Sequence, residues 1–125
     1  MRFRSLKIAD KEFRVIFDAA KDGLLLIDGE NKQFILANTA LCQMLGRGKE
    51  EVATLRFMDL TPPENLTALV DDFTRLLRGK IHLIKEVSIK RKDGSLFWAD
   101  ITGNFITLAG KTYLLAALRD VTERK

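Results

Sequence analysis

The sequence predicts an α+β domain, a five-stranded antiparallel sheet with helices covering one face and an N-terminal helix on the other. Three observations carry this reading. Around Asp93-Gly94, Val87 and Ile89 alternate with Ser88 and Lys90 on the way in, and Phe97, Ala99, Ile101, Gly103 and Phe105 alternate with Trp98, Asp100, Thr102 and Asn104 on the way out. Period two marks strands with one buried face, and Asp-Gly suits the tight turn because glycine reaches positive φ without a steric penalty. From residue 111 to 121 both parities are apolar, Leu114, Ala116 and Leu118 against Tyr113, Leu115 and Ala117, which a central strand covered on both sides requires. The order of patterns along the chain is helix, two strands, a helical middle, three strands.

The elements follow in turn. Phe13, Ile16, Phe17 and Ala20 have the spacing of one helical face, with Asp10 as N-cap, and Lys21-Asp22-Gly23 stops the helix. Leu24-Leu25-Leu26-Ile27 is a short apolar run of the kind buried on both faces, and a turn at Gly29-Glu30-Asn31-Lys32 leads to a second strand over residues 33–37. Asn38 caps the next helix, whose stripe is Leu41, Met44 and Leu45, and Gly46 supplies its left-handed end. Two short helical turns follow between residues 48 and 60. Thr61, Pro62 and Glu64 then form a capping box for a long helix with Leu66, Leu69, Val70, Phe73, Leu76 and Leu77 on one face, ended by Gly79. Helices within residues 38–78 cover one face of the sheet, so the outer face, with Leu24, Leu26 and Trp98, needs the N-terminal helix or a partner chain; an open apolar patch of that extent is unusual on a monomer.

Length and composition narrow the function. A chain of 125 residues is one domain, and 46% hydrophobic with 30% charged residues is an ordinary globular balance. No apolar run approaches the roughly 20 residues of a membrane helix, and no signal peptide follows the basic start, so the chain reads as cytoplasmic, without direct membrane insertion. One cysteine, Cys42, and one histidine, His82, leave no disulfide and no four-ligand zinc site. The net charge of +4 reads as a solvated basic face. No Gly-rich phosphate loop, nucleophile constellation or metal-ligand cluster points to an enzyme. Nucleic-acid binding is disfavoured because the sheet face carrying Phe97 and Phe105 is the one the helices cover.

An ordered set of local signatures gives a family resemblance. Asp22-Gly23 precedes the first strand and Asp28-Gly29 follows it; Asn38-Thr39-Ala40 leads to Leu45-Gly46. Arg91-Lys92-Asp93-Gly94-Ser95 precedes Phe97-Trp98, and Arg119-Asp120-Val121-Thr122-Glu123-Arg124-Lys125 closes the chain. In this order and at these spacings the chain resembles a PAS domain from about Ala9 onward. The resemblance implies a sheet with its first strand beside its last, and a pocket between the sheet and the helical middle. It also implies a sensory or interaction role in a larger signalling protein of the two-component or diguanylate cyclase kind. On that basis residues 1–21 are a basic segment and helical cap, 22–122 the core, and 123–125 the start of a linker to an effector, a histidine kinase or diguanylate cyclase. Asp120 and Thr122 form the signalling junction, satisfying the free N–H groups of the helix that follows.

The candidate pocket lining is Leu25, Ile27, Met44, Met58, Phe73, Ile89, Phe97, Ala99, Ile101 and Leu118, with Phe105 also in reach. Packing among these residues explains them singly; a small apolar ligand or noncovalent flavin is the functional alternative. The flavin-cysteine photosensors of the family carry a cysteine where this chain has Leu55, within Thr54-Leu55-Arg56-Phe57, and Cys42 sits in the preceding helix as a small hydrophobe. Haem-binding members draw a histidine from the long helix, which has none here, and His82 falls on the outward parity. The sequence therefore argues against covalent flavin and histidine-ligated haem. Phe13, Phe17, Trp98 and Tyr113 mark an outer face suited to a homodimer. A ligand-gated sensor and a ligand-free dimerisation or relay module both fit.

Overall fold

The computed structural model describes residues 2–124, with side chains described for residues 11–123, so Arg2, Arg4 and Lys7 of the basic segment have side chains outside the described residues. Helix α1 (Arg2–Ala19) leads into a β-hairpin, β1 (Gly23–Asp28) and β2 (Phe34–Ala37). The helical middle is α2 (Thr39–Leu45), α3 (Lys49–Val52), a 3-10 turn at Phe57–Asp59 and α4 (Pro63–Leu77). Three strands follow, β3 (Leu83–Lys90), β4 (Leu96–Leu108) and β5 (Lys111–Asp120), with a last 3-10 turn at Thr122–Arg124. All neighbours are antiparallel in the order β2-β1-β5-β4-β3, so the first strand lies beside the last.

Most local signals act as read. Asn38 Oδ1 accepts the Leu41 N–H at 3.0 Å, and Gly46 closes α2 at φ 69°. At the end of α4, Gly79 at φ 70° donates to the Leu76 carbonyl while Lys80 donates to the Arg75 carbonyl, a two-bond C-terminal closure that needs the left-handed residue.

Five expectations change. Asp10 does not cap α1, which already runs from Arg2. Thr61 does not box α4: Pro62 is the cap residue, and the buried Thr61 hydroxyl instead donates to the Ser88 carbonyl at 2.9 Å, pinning the loop to the edge of β3. The β3 parity shifts at a bulge between Ile84 and Val87, where Glu86 takes φ 53° and gives its N–H to Asp100 Oδ1, so that Ile84, opposite Ile101, is buried beside the inward Ile89; Ser88 keeps the outward register opposite Trp98 and is buried nonetheless, with Asn65 donating to its hydroxyl at 3.0 Å. Phe105 keeps the inward parity and is nonetheless 47% exposed, because Gly103, opposite Leu76 in the last turn of α4, is the last inward position of β4 that is buried. The outer parity of β5, Tyr113, Leu115 and Ala117, is half-buried rather than covered.

The core lies between the inner sheet face and α2–α4. Ile27, Ala99, Ile101, Leu114 and Ala116 meet Leu41, Leu45, Phe73 and Leu76 in one apolar cluster. A Cβ at Gly103 would stand 2.8 Å from Leu76 Cδ2, so glycine is what lets α4 approach β4 this closely.

Candidate functional site

Inside this cluster is a cavity of about 10 Å³, the space of roughly one water-sized probe. Its wall is wholly apolar: β1 contributes Leu25, β2 Phe34, α4 Leu69 and Phe73, β4 Ile101 and β5 Leu118. An apolar void of that size stays dry, because a water inside it finds no hydrogen-bond partner.

Of the residues singled out from sequence, Leu25, Phe73, Ile89, Ile101 and Leu118 line this cavity. Ile27, Phe97 and Ala99 are buried in the surrounding core, with the Arg91 guanidinium 4.7 Å from the Phe97 ring centre. Met44 is half-buried with its sulfur against Gly23. Met58 does not reach the cavity: it sits on the outer side of the 3-10 turn, 58% exposed, and Phe57 beside it turns inward. Sequence reasoning passed over Phe34, Leu41, Leu45, Val52, Leu60 and Leu69 as lining residues. Leu69 was legible from its place on the apolar stripe of α4.

The lining does not fit the two cofactors weighed above. It offers no amide or hydroxyl to a flavin ring. Leu55 is packed against the core where a reactive cysteine would stand. The Cys42 thiol is half-buried on α2, and burial raises its pKa above the ordinary value. His82 is exposed, away from the cavity lining. Among the described residues no cluster of His, Cys, Asp or Glu could hold a metal ion, and no helix is long and apolar enough to cross a membrane.

Two polar corners flank the cavity. At the N-terminal corner the fully buried Asn38 uses all its hydrogen-bonding capacity. Its amide donates to the Phe17 carbonyl at 2.9 Å and the Asp22 carbonyl at 3.0 Å, and its Oδ1 accepts Leu24 N–H at 2.8 Å as well as Leu41 N–H. Asp18 joins in, taking Lys49 Nζ at 2.8 Å and Thr39 N–H at 3.1 Å, and the Lys49 hydrogen bond foremost holds its carboxyl below the usual range. The end of α1 is thereby locked to the start of α2. Phe17 is 2% exposed and stacked on Phe13, centroids 5.0 Å apart, so its side chain is buried within the chain, outside the inner apolar cluster. Phe13, Trp98 and Tyr113 are half-buried.

At the C-terminal corner Asp120 Oδ1 accepts the Thr122 N–H at 2.9 Å and its hydroxyl at 2.6 Å. Thr122 Oγ1 in turn accepts the Trp98 N–H at 3.1 Å, and Val121 N–H donates to the Trp98 carbonyl. The junction pair thus ties the chain end to β4 and starts the 3-10 turn Thr122–Arg124. Leu118, on the cavity wall, lies two residues before Asp120 on the same strand.

Comparison with known proteins places this geometry. The family model described as PAS domain matches residues 21–123. A probable diguanylate cyclase, DgcE of Escherichia coli K12, is 29% identical over 120 residues, covering 94% of this chain and 11% of that protein. The sensor histidine kinase TmoS of Ectopseudomonas mendocina is 27% identical over 124 residues, 97% of this chain and 13% of that protein. The chain therefore spans only about an eighth of the length of these curated relatives. Among solved structures, a PAS domain from a two-component sensor histidine kinase superposes with a TM-score of 0.73 at 15% identity, covering 91% of this chain and 97% of that one.

Proposed function

The chain belongs to the PAS domain family, and on that premise we propose that it is the sensing module of a longer signalling protein. In this reading the inner cavity takes a small apolar ligand, and the change is passed to an attached histidine kinase or diguanylate cyclase. The observation that carries the reading is the position of Leu118: it lines the cavity and stands two residues from the Asp120–Thr122 junction. A ligand that displaces Leu118 strains a strand whose far end holds the exit of the chain. With an all-apolar wall the ligand class is a small hydrocarbon-like molecule without hydrogen-bonding needs. Since ligand sites usually enclose about 300–1,000 Å³, binding requires the wall to open from its present 10 Å³.

The outer face supports the homodimer in the same proposal. Leu24, Tyr113, Leu115 and Ala117 form a half-buried apolar band across β1 and β5, with Trp98 at one end of the sheet and Ile16 of α1 74% exposed. A second copy, with α1, closes that band. The tight packing of the interior favours a second reading, a ligand-free dimerisation or relay module. Mass spectrometry of small molecules released from the purified protein separates the two: a stoichiometric apolar compound is expected for the sensor, and none, with cavity methyl resonances unmoved by xenon, for the relay. In ultracentrifugation Trp98→Ala is expected to weaken the dimer, and a monomeric parent at high concentration removes the dimer from the proposal. In the full-length protein Asp120→Ala is expected to uncouple the effector while the domain still folds cooperatively.

A further inference from the structure

The geometry points to a gate for the cavity: Phe57, swinging on its 3-10 turn, opens and closes the route from an outer groove to the ligand. This inference rests on the ligand reading above and adds how the ligand passes. Outside the cavity lies an open groove of about 580 Å³, between the turn at residues 31–34 and the segment 53–57. Phe34 lines both the groove and the cavity, Phe57 lines the groove, and Phe73 lines the cavity. The Phe57 ring stands between the other two, edge-on to Phe34 with centroids 5.4 Å apart at 74°, and tilted at 41° on Phe73 at 4.5 Å. The partition between a space wide enough for a small molecule and the dry interior is thus made of phenyl rings, and the middle one is half-buried.

The backbone carrying that ring is held at both ends and free of outside ties between them. On one side Leu55 N–H donates to Val52, and on the other Leu60 accepts the Lys90 N–H at 2.7 Å and Thr61 donates to Ser88. The hydrogen bonds described for the turn itself are internal: Asp59 Oδ2 accepts Arg56 N–H, Asp59 N–H donates to Arg56, and Leu60 N–H donates to Phe57. Arg56 and Met58 face solvent. Rotating Phe57 outward therefore gives up two ring contacts and orphans no hydrogen bond, a barrier made only of dispersion and apolar burial. Polar residues at that position would have to break a bond at each opening, so an aromatic door suits an apolar passenger.

The test uses benzene as the probe and Leu69→Ala as the host, because that truncation enlarges the cavity and keeps all three phenylalanines in place in the sequence. Exchange is read from the methyl resonances of Ile89, Ile101 and Leu118. Adding Phe57→Ala is expected to speed association and dissociation together by about tenfold, with the dissociation constant held within about threefold. A purely structural role for Phe57 would shift the affinity by changing one rate against the other, without raising both together. If Leu69→Ala does not fold, xenon exchange in the otherwise unaltered chain and in Phe57→Ala gives the same reading. Binding at the cavity methyls with an unchanged exchange rate overturns the gate and leaves the ligand reading standing. Cavity methyls that no probe moves in any variant overturn the ligand reading and the gate with it.

Discussion

The two faces of the sheet carry apolar side chains of the same kind and meet different fates. On β5, Leu114, Ala116 and Leu118 are buried while their alternates Tyr113, Leu115 and Ala117 are half-exposed; on β1, Leu25 and Ile27 are buried, and of the outward pair Leu24 is half-exposed while Leu26 is buried. Helices α2 and α4 close the inner face with Leu41, Leu45, Leu69, Phe73 and Leu76, and Gly103 brings α4 down onto it. At the end of α1 the Phe17 carbonyl meets Asn38 and the Asp18 carboxylate meets Thr39 of α2 and Lys49 of α3, and the outer band keeps its apolar surface partly in water. Alternation in a sequence says which residues share a face; only the packing says whether the face is covered within the chain.

That contrast breaks most readily from the inside. Ile101→Ala is expected to cost about 4 kcal/mol, from lost burial plus a cavity that the packed helices cannot fully collapse. Denaturant unfolding checks it, and a loss no larger than that of an outer-face truncation would mean the inner face is not the core. Next comes Asn38→Ala, expected to cost about 3 kcal/mol because it strips the cap of α2 and strands buried partners on α1 and β1. Hydrogen exchange at Leu24 and Leu41 should accelerate together in this variant, whereas acceleration at Leu41 alone would reduce Asn38 to an ordinary cap.

The inner face was the legible part of the sequence. Period-two alternation and the stripe of α4 identified Leu25, Phe73, Ile89, Ile101 and Leu118, and Asn38, Gly46 and Gly79 announced their caps, because each of these signals is local. What escaped was settled by distant partners. Thr61 looked like a cap and became an edge pin because Ser88 stands across from it. Met58 and Phe57 are adjacent, and their apolarity alone could not say which one faces inward. The bulge at Glu86 has no sequence mark other than Asp100, whose carboxylate rewards the displaced N–H from the neighbouring strand. The gate is of the same kind, since three phenylalanines far apart in sequence meet only in the fold.

On the outer face the expected effect is smaller and depends on concentration. Leu115→Ala should cost about 1 kcal/mol or less in the dilute chain, because a half-buried leucine loses only part of its transfer free energy. At concentrations where the protein is dimeric the same substitution should cost more, in proportion to the weakened association. Melting temperatures measured across protein concentration sharpen the comparison between faces, and a cost independent of concentration would mean that the band is covered within the chain.

The smallest effect is present at neutral pH and lost in acid, and it concerns a carboxylate buried on the outer face. Asp28 has the outward parity, opposite Tyr113, and is buried all the same. Lys111 Nζ meets its Oδ2 at 2.8 Å, and its Oδ1 takes the N–H groups of Glu30 and Asn31. The Lys111 hydrogen bond foremost, then that of Glu30, holds the carboxyl below its usual range. A carboxyl depressed in the folded state stabilises fully above its unfolded pKa, near 4, and loses that stabilisation as pH falls through the lower folded value. Lys111→Met should therefore melt below the parent at neutral pH and converge on it as the solution is acidified below about pH 4. The gap should be modest, because the ammonium is half-exposed and screened by solvent. A gap constant with pH would assign the effect of Lys111 to its packing over the Tyr113 ring, 5.9 Å away, instead of to its charge.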